Sequence, residues 1–203
     1  MFKPRVMIPG LAATVCLLVM LGCDVRSKHP LSDEKTSKPD VKLLGDWREQ
    51  GDDEAAIWRV TKHPKFEKAM MAFPLPAEMD GFRDLFFTTT IGGKKYFSWG
   101  GNEYKNGILN FCIYQYEMPD ENTLHLYPLS VDAVRQAIVK ERLAGEIKIT
   151  TEREKGFLGK NVLGKNEEVC VTASPKELRE FIKKHADACF KKDKESTGIY
   201  KRL

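Results

Sequence analysis

Two consecutive glycines, Gly92-Gly93, separate an apolar run at residues 86–91 from another at 94–99. A two-residue loop between paired strands needs positive φ, which glycine adopts without steric cost, so this pattern specifies an antiparallel hairpin. Period-two alternation recurs on both sides of it. Residues 56–60 put Trp58 and Val60 on one face, and residues 94–99 put Phe97 and Trp99 on one face. Residues 107–117 oppose Leu109, Phe111 and Ile113 to Asn110, Cys112, Tyr114 and Tyr116. Pro119-Asp120-Glu121-Asn122 then reads as a turn, followed by the alternating run 123–127. A third group at 146–150, 168–172 and 198–202 completes the strands, with 156–164 as a loop or an irregular pair. The expected fold is mainly β (α+β), an antiparallel β-barrel or strongly curved sheet of roughly ten strands with two helices.

The second helix has the stronger signature. Ser174-Pro175-Lys176-Glu177 is a capping box with proline at the first helical position, and Leu178, Phe181, Ile182, His185, Ala186 and Cys189 follow at helical spacing. An earlier helix over 130–143 opens on Ser130, carries Asp132 in its first turn and has a narrower apolar face of Val131, Val134 and Ile138.

The N-terminus has a different composition. Lys3 and Arg5 precede residues 6–22, which carry no charge and end in Gly22-Cys23. This resembles a bacterial lipobox, with Met20 and Leu21 standing where other residues are commoner. The resemblance implies cleavage before Cys23 and diacylation of its thiol with palmitate-like chains, so that Cys23 becomes the lipidated N-terminus of the mature protein. An uncleaved anchor is the competing reading, but the apolar run is only about 17 residues, against roughly 20 needed to span a bilayer, and Pro9-Gly10 interrupts it. An ordinary secretory signal is the other. The lipoprotein reading gives a signal peptide at 1–22, a lipidated N-terminus and flexible tether at 23–40, and a single domain at 41–203. It places that domain in the cell envelope, facing outside the cytoplasm and held to a membrane. Asp24 resembles an inner-membrane retention signal.

Residues 24–40 are rich in charge, Ser, Thr and Pro and poor in large apolar side chains, the composition of a segment that cannot fold on its own. As a coil it would hold the domain roughly 20–25 Å from the lipid head groups. Removing residues 1–22 deletes Lys3 and Arg5 and no acid, so the formal charge of +4 falls to +2, and nucleic-acid binding is not implied. Lysine clusters such as Lys183-Lys184 could favour anionic lipid, although such runs are ordinarily a solvated face. Cys112, Cys170 and Cys189 are the thiols left after Cys16 and Cys23 are accounted for, and their spacing does not choose a pair.

Gly45-Asp46-Trp47 resembles the Gly-X-Trp of lipocalin-like and calycin barrels. That resemblance implies that Trp47 closes one end of a barrel. Thr172-Ala173-Ser174-Pro175, Leu178, Phe181 and His185-Ala186-Asp187 are similar to the terminal helix of uncharacterised bacterial lipoprotein domains, so that the likeness spans most of 41–203. The Thr-Asp-Tyr loop of true lipocalins is absent, and the resemblance supplies architecture without an activity.

Chemistry is not signalled. His29, His63, His125 and His185 have no zinc-ligand spacing, and no nucleophile elbow, Cys-X-X-Cys or phosphate loop occurs. We therefore expect no enzyme activity, no cofactor and no metal. Two functions remain. One is a filled binding or scaffold module that meets an envelope protein. The other is a carrier whose barrel holds a small apolar ligand or lipid, lined by Phe82, Phe86, Phe87, Phe97, Phe111, Met70 and Met71.

Overall fold

A computed structural model describes residues 25–52, 54–75, 84–100, 110–155, 161–192 and 197–203. Strand β1 (Val25–Ser27) and a 3-10 turn (Val41–Leu43) precede the meander β2 (Gly45–Glu49), β3 (Ile57–Lys62), β4 (Met70–Leu75), β5 (Asp84–Ile91), β6 (Lys94–Gly100), β7 (Phe111–Asp120) and β8 (Thr123–Pro128). Helix α1 (Val131–Val139), β9 (Gly145–Lys155), β10 (Asn161–Val171) and α2 (Pro175–Cys189) follow, and β11 (Gly198–Arg202) ends the chain.

Strands β2 to β8 pair consecutively and antiparallel, and β11 lies between β8 and β2, closing an eight-stranded barrel. Closure removes the unpaired edges an open sheet would expose. The expected barrel with two helices is what forms, and the α1-β9-β10-α2 segment is an insertion between its last two strands. The Gly92-Gly93 hairpin forms with φ of 58° and 79°. Beside the barrel, β1 runs parallel to β10 and meets β7 at Ser27 opposite Phe111, so β1, β10 and β9 continue the sheet outward from the start of β7.

Hydrophobic packing occurs on both sides of the barrel wall. Leu43, Trp47, Met70, Ala72, Phe86, Phe97, Tyr114, Tyr116, Leu124 and Leu126 form one cluster. The other joins Val25, Leu31, Tyr96, Ile113 and Leu129 to Val134 of α1 and Leu178 and Ile182 of α2. This explains unbroken apolar pairs such as Phe86-Phe87 and Tyr96-Phe97: these stretches are buried on both faces.

The α2 capping box is formed. The Glu177 amide donates to Ser174 Oγ, and the Ser174 amide donates to the Glu177 carboxylate at 2.9 Å. The predicted stripe is only partly right. Leu178, Phe181, Ile182 and Cys189 are buried, but the backbone leaves helical geometry at His185 (φ −128°, ψ 20°), and His185 is exposed. Helix α1 stops at Val139, short of the expected residue 143, because Glu141 takes φ 54° and the amides of Glu141 and Arg142 turn back onto Ile138 and Ala137.

The expected tether is corrected most sharply, since residues 25–40 pack onto the domain. Val25 and Leu31 are buried, Leu31 at 0% exposure, and the Leu31 amide donates to Ser98 Oγ at 2.8 Å. Ser32 Oγ and Ser37 Oγ both donate to the Thr88 carbonyl, while the Thr88 hydroxyl donates to the Lys38 carbonyl at 2.6 Å. Composition counts apolar area and misses this mode of docking, in which two apolar anchors and several serine hydroxyls satisfy the outer face of β5 and β6. Leu31→Ala should therefore lower unfolding free energy by about 2–5 kcal/mol in urea denaturation. A tether residue would leave the midpoint unchanged. No helix among the described residues is long and apolar enough to cross a membrane.

Candidate functional site

Gly45-Asp46-Trp47 organises one end of the barrel. Gly45 has φ +131°, and a Cβ there would stand 3.1 Å from Arg202 Nη1, so the tripeptide needs glycine for both its backbone and its clearance. The Trp47 ring is buried, and its indole N–H donates to the Leu43 carbonyl at 2.8 Å, tying β2 to the 3-10 turn. The Arg202 guanidinium lies 4.5 Å from the ring centre and donates to the Leu44, Lys42 and Glu121 carbonyls. Trp47 and Arg202 thus join the first and last strands of the barrel to the turn beside them.

Asp40 caps that turn. Its carboxylate accepts from the Lys42 amide, from Lys95 Nζ at 2.7 Å and from the Tyr116 hydroxyl at 2.9 Å. Burial works to raise this carboxyl, but the hydrogen bonds from Lys95, Tyr116 and the Lys42 amide, with the Lys95 charge, outweigh it and hold Asp40 below the usual carboxylate range. Burial, then the Asp40 charge, pushes the Tyr116 phenol up, so it remains a donor. A depressed carboxyl contributes stability that is complete above its unfolded value and is lost as pH falls through the folded one. Asp40→Asn should accordingly flatten the acid limb of the stability profile below about pH 4. An unchanged limb would show that the capped carboxylate contributes nothing there.

The candidate lining residues divide. Met70, Phe86 and Phe97 sit in the Trp47 cluster, with the Phe97 ring 5.2 Å from Tyr114 and 5.7 Å from Tyr116. Phe87 and Phe111 do not belong there. They pair with each other at 6.4 Å in a separate cluster with Ala69. Met71 is only partly buried and lies outside the Trp47 cluster. Neighbours on a pleated strand face opposite ways, so 70/71 and 86/87 cannot share a lining. Phe82 and Cys23 lie outside the described residues.

Tyr114, Tyr116, Leu124, Leu126, Trp58, Trp99, Cys112 and Tyr200 join or pack against the Trp47 cluster, none of them expected as lining. The available signal was the even-numbered face of 111–120, whose tyrosines look polar and were read against Phe111 and Ile113. Lys95, bonded to Asp40, lies near the start of β6, and Trp99 lies near its far end. Trp58, Trp99 and Cys112 are all partly exposed, and Trp58 is the cross-strand neighbour of Trp47. The Trp58 and Trp99 rings meet edge to face at 5.6 Å.

Cys112 is disulfide-bonded, while Cys170 and Cys189 are free thiols. Burial pushes Cys189 up to about 12, which makes it an unreactive packing residue. The chain's other cysteines, Cys16 and Cys23, lie outside the described residues.

No group of three or more His, Cys, Asp or Glu side chains among the described residues could hold a metal. His63 Nδ1 accepts from the Lys65 and Phe66 amides, and burial, then the Lys65 charge, lowers its pKa, in keeping with a neutral turn-forming ring. Two clefts lie outside the Trp47 cluster. One, of about 420 Å³, lies between the end of α1 and the start of α2, beside Ile138, Arg142 and Glu177. The other, of about 280 Å³, lies between the β5–β6 turn and the last turns of α2. No protein-family model, curated protein or solved structure matches the chain.

Proposed function

We propose that this protein is a lipid-anchored, non-catalytic binding or scaffold module of the cell envelope, held to a membrane through acyl chains on Cys23 and displayed outside the cytoplasm. The sequence support is Lys3 and Arg5, the uncharged stretch 6–22 and the small residue before Cys23. Two or more acyl chains, at about 0.8 kcal/mol per buried methylene, give stable attachment where one does not. Asp24 favours the inner membrane of a two-membrane envelope. The eight-stranded meander with Trp47 beside its 3-10 turn resembles a calycin barrel.

The observation that carries the reading of a filled module is the packing of the Trp47 cluster. Phe97 has ring neighbours at 5.2–5.9 Å on four sides, namely Phe86, Trp99, Tyr114 and Tyr116, in the space a carrier would keep for ligand. A second observation favours the carrier: the paired rings of Trp58 and Trp99 are only partly buried, and an apolar ligand could cover them. Native extraction followed by lipid mass spectrometry separates the two. The module should yield covalent acyl chains and no stoichiometric free lipid. One bound lipid per chain, lost in Trp99→Ala, would replace it with the carrier.

A further inference from the structure

We infer that the cleft between the β5–β6 turn and α2 binds a phosphate group. Lys94, Tyr96, Lys183, Lys184, His185 and Asp187 supply its polar wall. Tyr96 is the decisive residue. It is 1% exposed, its ring packs on Phe190 at 5.2 Å, and its hydroxyl has no hydrogen bond among the described residues, although it lines the cleft. The phenol is thus a donor open to the cleft, from which an oxygen of a bound ligand could accept a hydrogen bond.

Lys94, Lys183 and Lys184 line the same cleft, and Asp187 is the one acid in the lining. Asp187 accepts from Lys94 Nζ at 2.5 Å, yet its side chain is 95% exposed, so this ion pair contributes little and an incoming anion can displace it. The break in α2 at His185 falls within the same wall. Several ammonium groups and a phenol around a space of this size match a compact, multiply charged anion better than a single carboxylate. The phosphate could belong to a soluble ester or to a lipid head group at the membrane surface. The lipid source rests on the anchoring proposed above, whereas the binding itself does not.

Isothermal titration of the detergent-solubilised full chain tests this in two arms at constant ionic strength, one with inorganic phosphate and one with short-chain phosphatidylglycerol below its micelle concentration. Saturable binding that Lys184→Gln and Tyr96→Phe each weaken about tenfold is expected, because each removes one charge-assisted hydrogen bond. Lys42→Gln, at a lysine that does not line the cleft, should leave binding intact. Tighter binding of the lipid assigns the head group, and tighter binding of phosphate assigns a soluble ester. Absence of heat in both arms, or equal weakening by Lys42→Gln, overturns the site and leaves the anchoring proposal standing.

Discussion

Trp47→Ala should lower the unfolding free energy by about 3–5 kcal/mol, the cost of truncating a buried aromatic ring that cannot be refilled by collapse. The ring is 2% exposed, and its removal also strands the Leu43 carbonyl and takes away the surface over which Arg202 lies. Total stability of a domain this size is about 5–15 kcal/mol, so the loss should be plain in urea denaturation with an unchanged m-value. Trp47→Phe separates the contributions. It keeps most of the apolar contact and forfeits one hydrogen bond, about 0.5–1.5 kcal/mol, and part of the cation–π contact. A loss below about 1 kcal/mol in Trp47→Ala would mean that the residue does not hold this end of the barrel together.

Cys23→Ser should abolish incorporation of labelled fatty acid completely. When residues 1–22 are also exchanged for an ordinarily cleaved secretory signal, the domain should move from the membrane to the soluble envelope fraction. The effect is close to all-or-none, because acyl burial at about 0.8 kcal/mol per methylene dominates any residual surface attraction. The lysines of a pair such as Lys183-Lys184 contribute about 1 kcal/mol per residue near anionic lipid, too little to retain a chain alone. Retention of the unacylated, processed chain would show that another surface holds the membrane.

The packing of residues 25–40 changes the expected geometry of an anchored molecule. Val25 already pairs with Val169 of β10, and two residues of chain reach at most about 7 Å. A chain acylated at Cys23 would keep the barrel against the head groups, with none of the clearance that a 17-residue coil of roughly 20–25 Å suggests.

The legible parts of this fold were those with local causes. Gly92-Gly93 fixed a hairpin through backbone freedom, and Ser174 with Glu177 fixed a helix start through two reciprocal hydrogen bonds. Alternation identified the strands but not which face is inside, because β5, β6 and β7 are covered on both sides. Phe87 and Phe111 are as buried as Phe86 and belong to a different cluster. Strands β9 and β10 run for 11 residues each, well beyond the apolar stretches at 146–150 and 168–172, since backbone pairing continues through Glu152-Arg153-Glu154. The docking of Leu31, Ser32 and Ser37 was illegible because each partner lies more than 50 residues away in the chain. The Tyr96 cleft was invisible for the same reason, as it joins a hairpin to a helix about 90 residues later.

Intact-mass and peptide analysis of the protein purified from its own membrane decides whether Cys23 is the acylated N-terminus. The lipid-anchored account predicts a mature chain beginning at Cys23, carrying a diacylglyceryl thioether and with Cys112 released from its disulfide, since Cys170 and Cys189 are free thiols and Cys16 and Cys23 are the cysteines left to pair with it. An N-terminal peptide joined to the Cys112 peptide by a disulfide through Cys23, or an unprocessed Met1 with an unmodified Cys23 thiol, would contradict it, since one sulfur cannot carry both bonds.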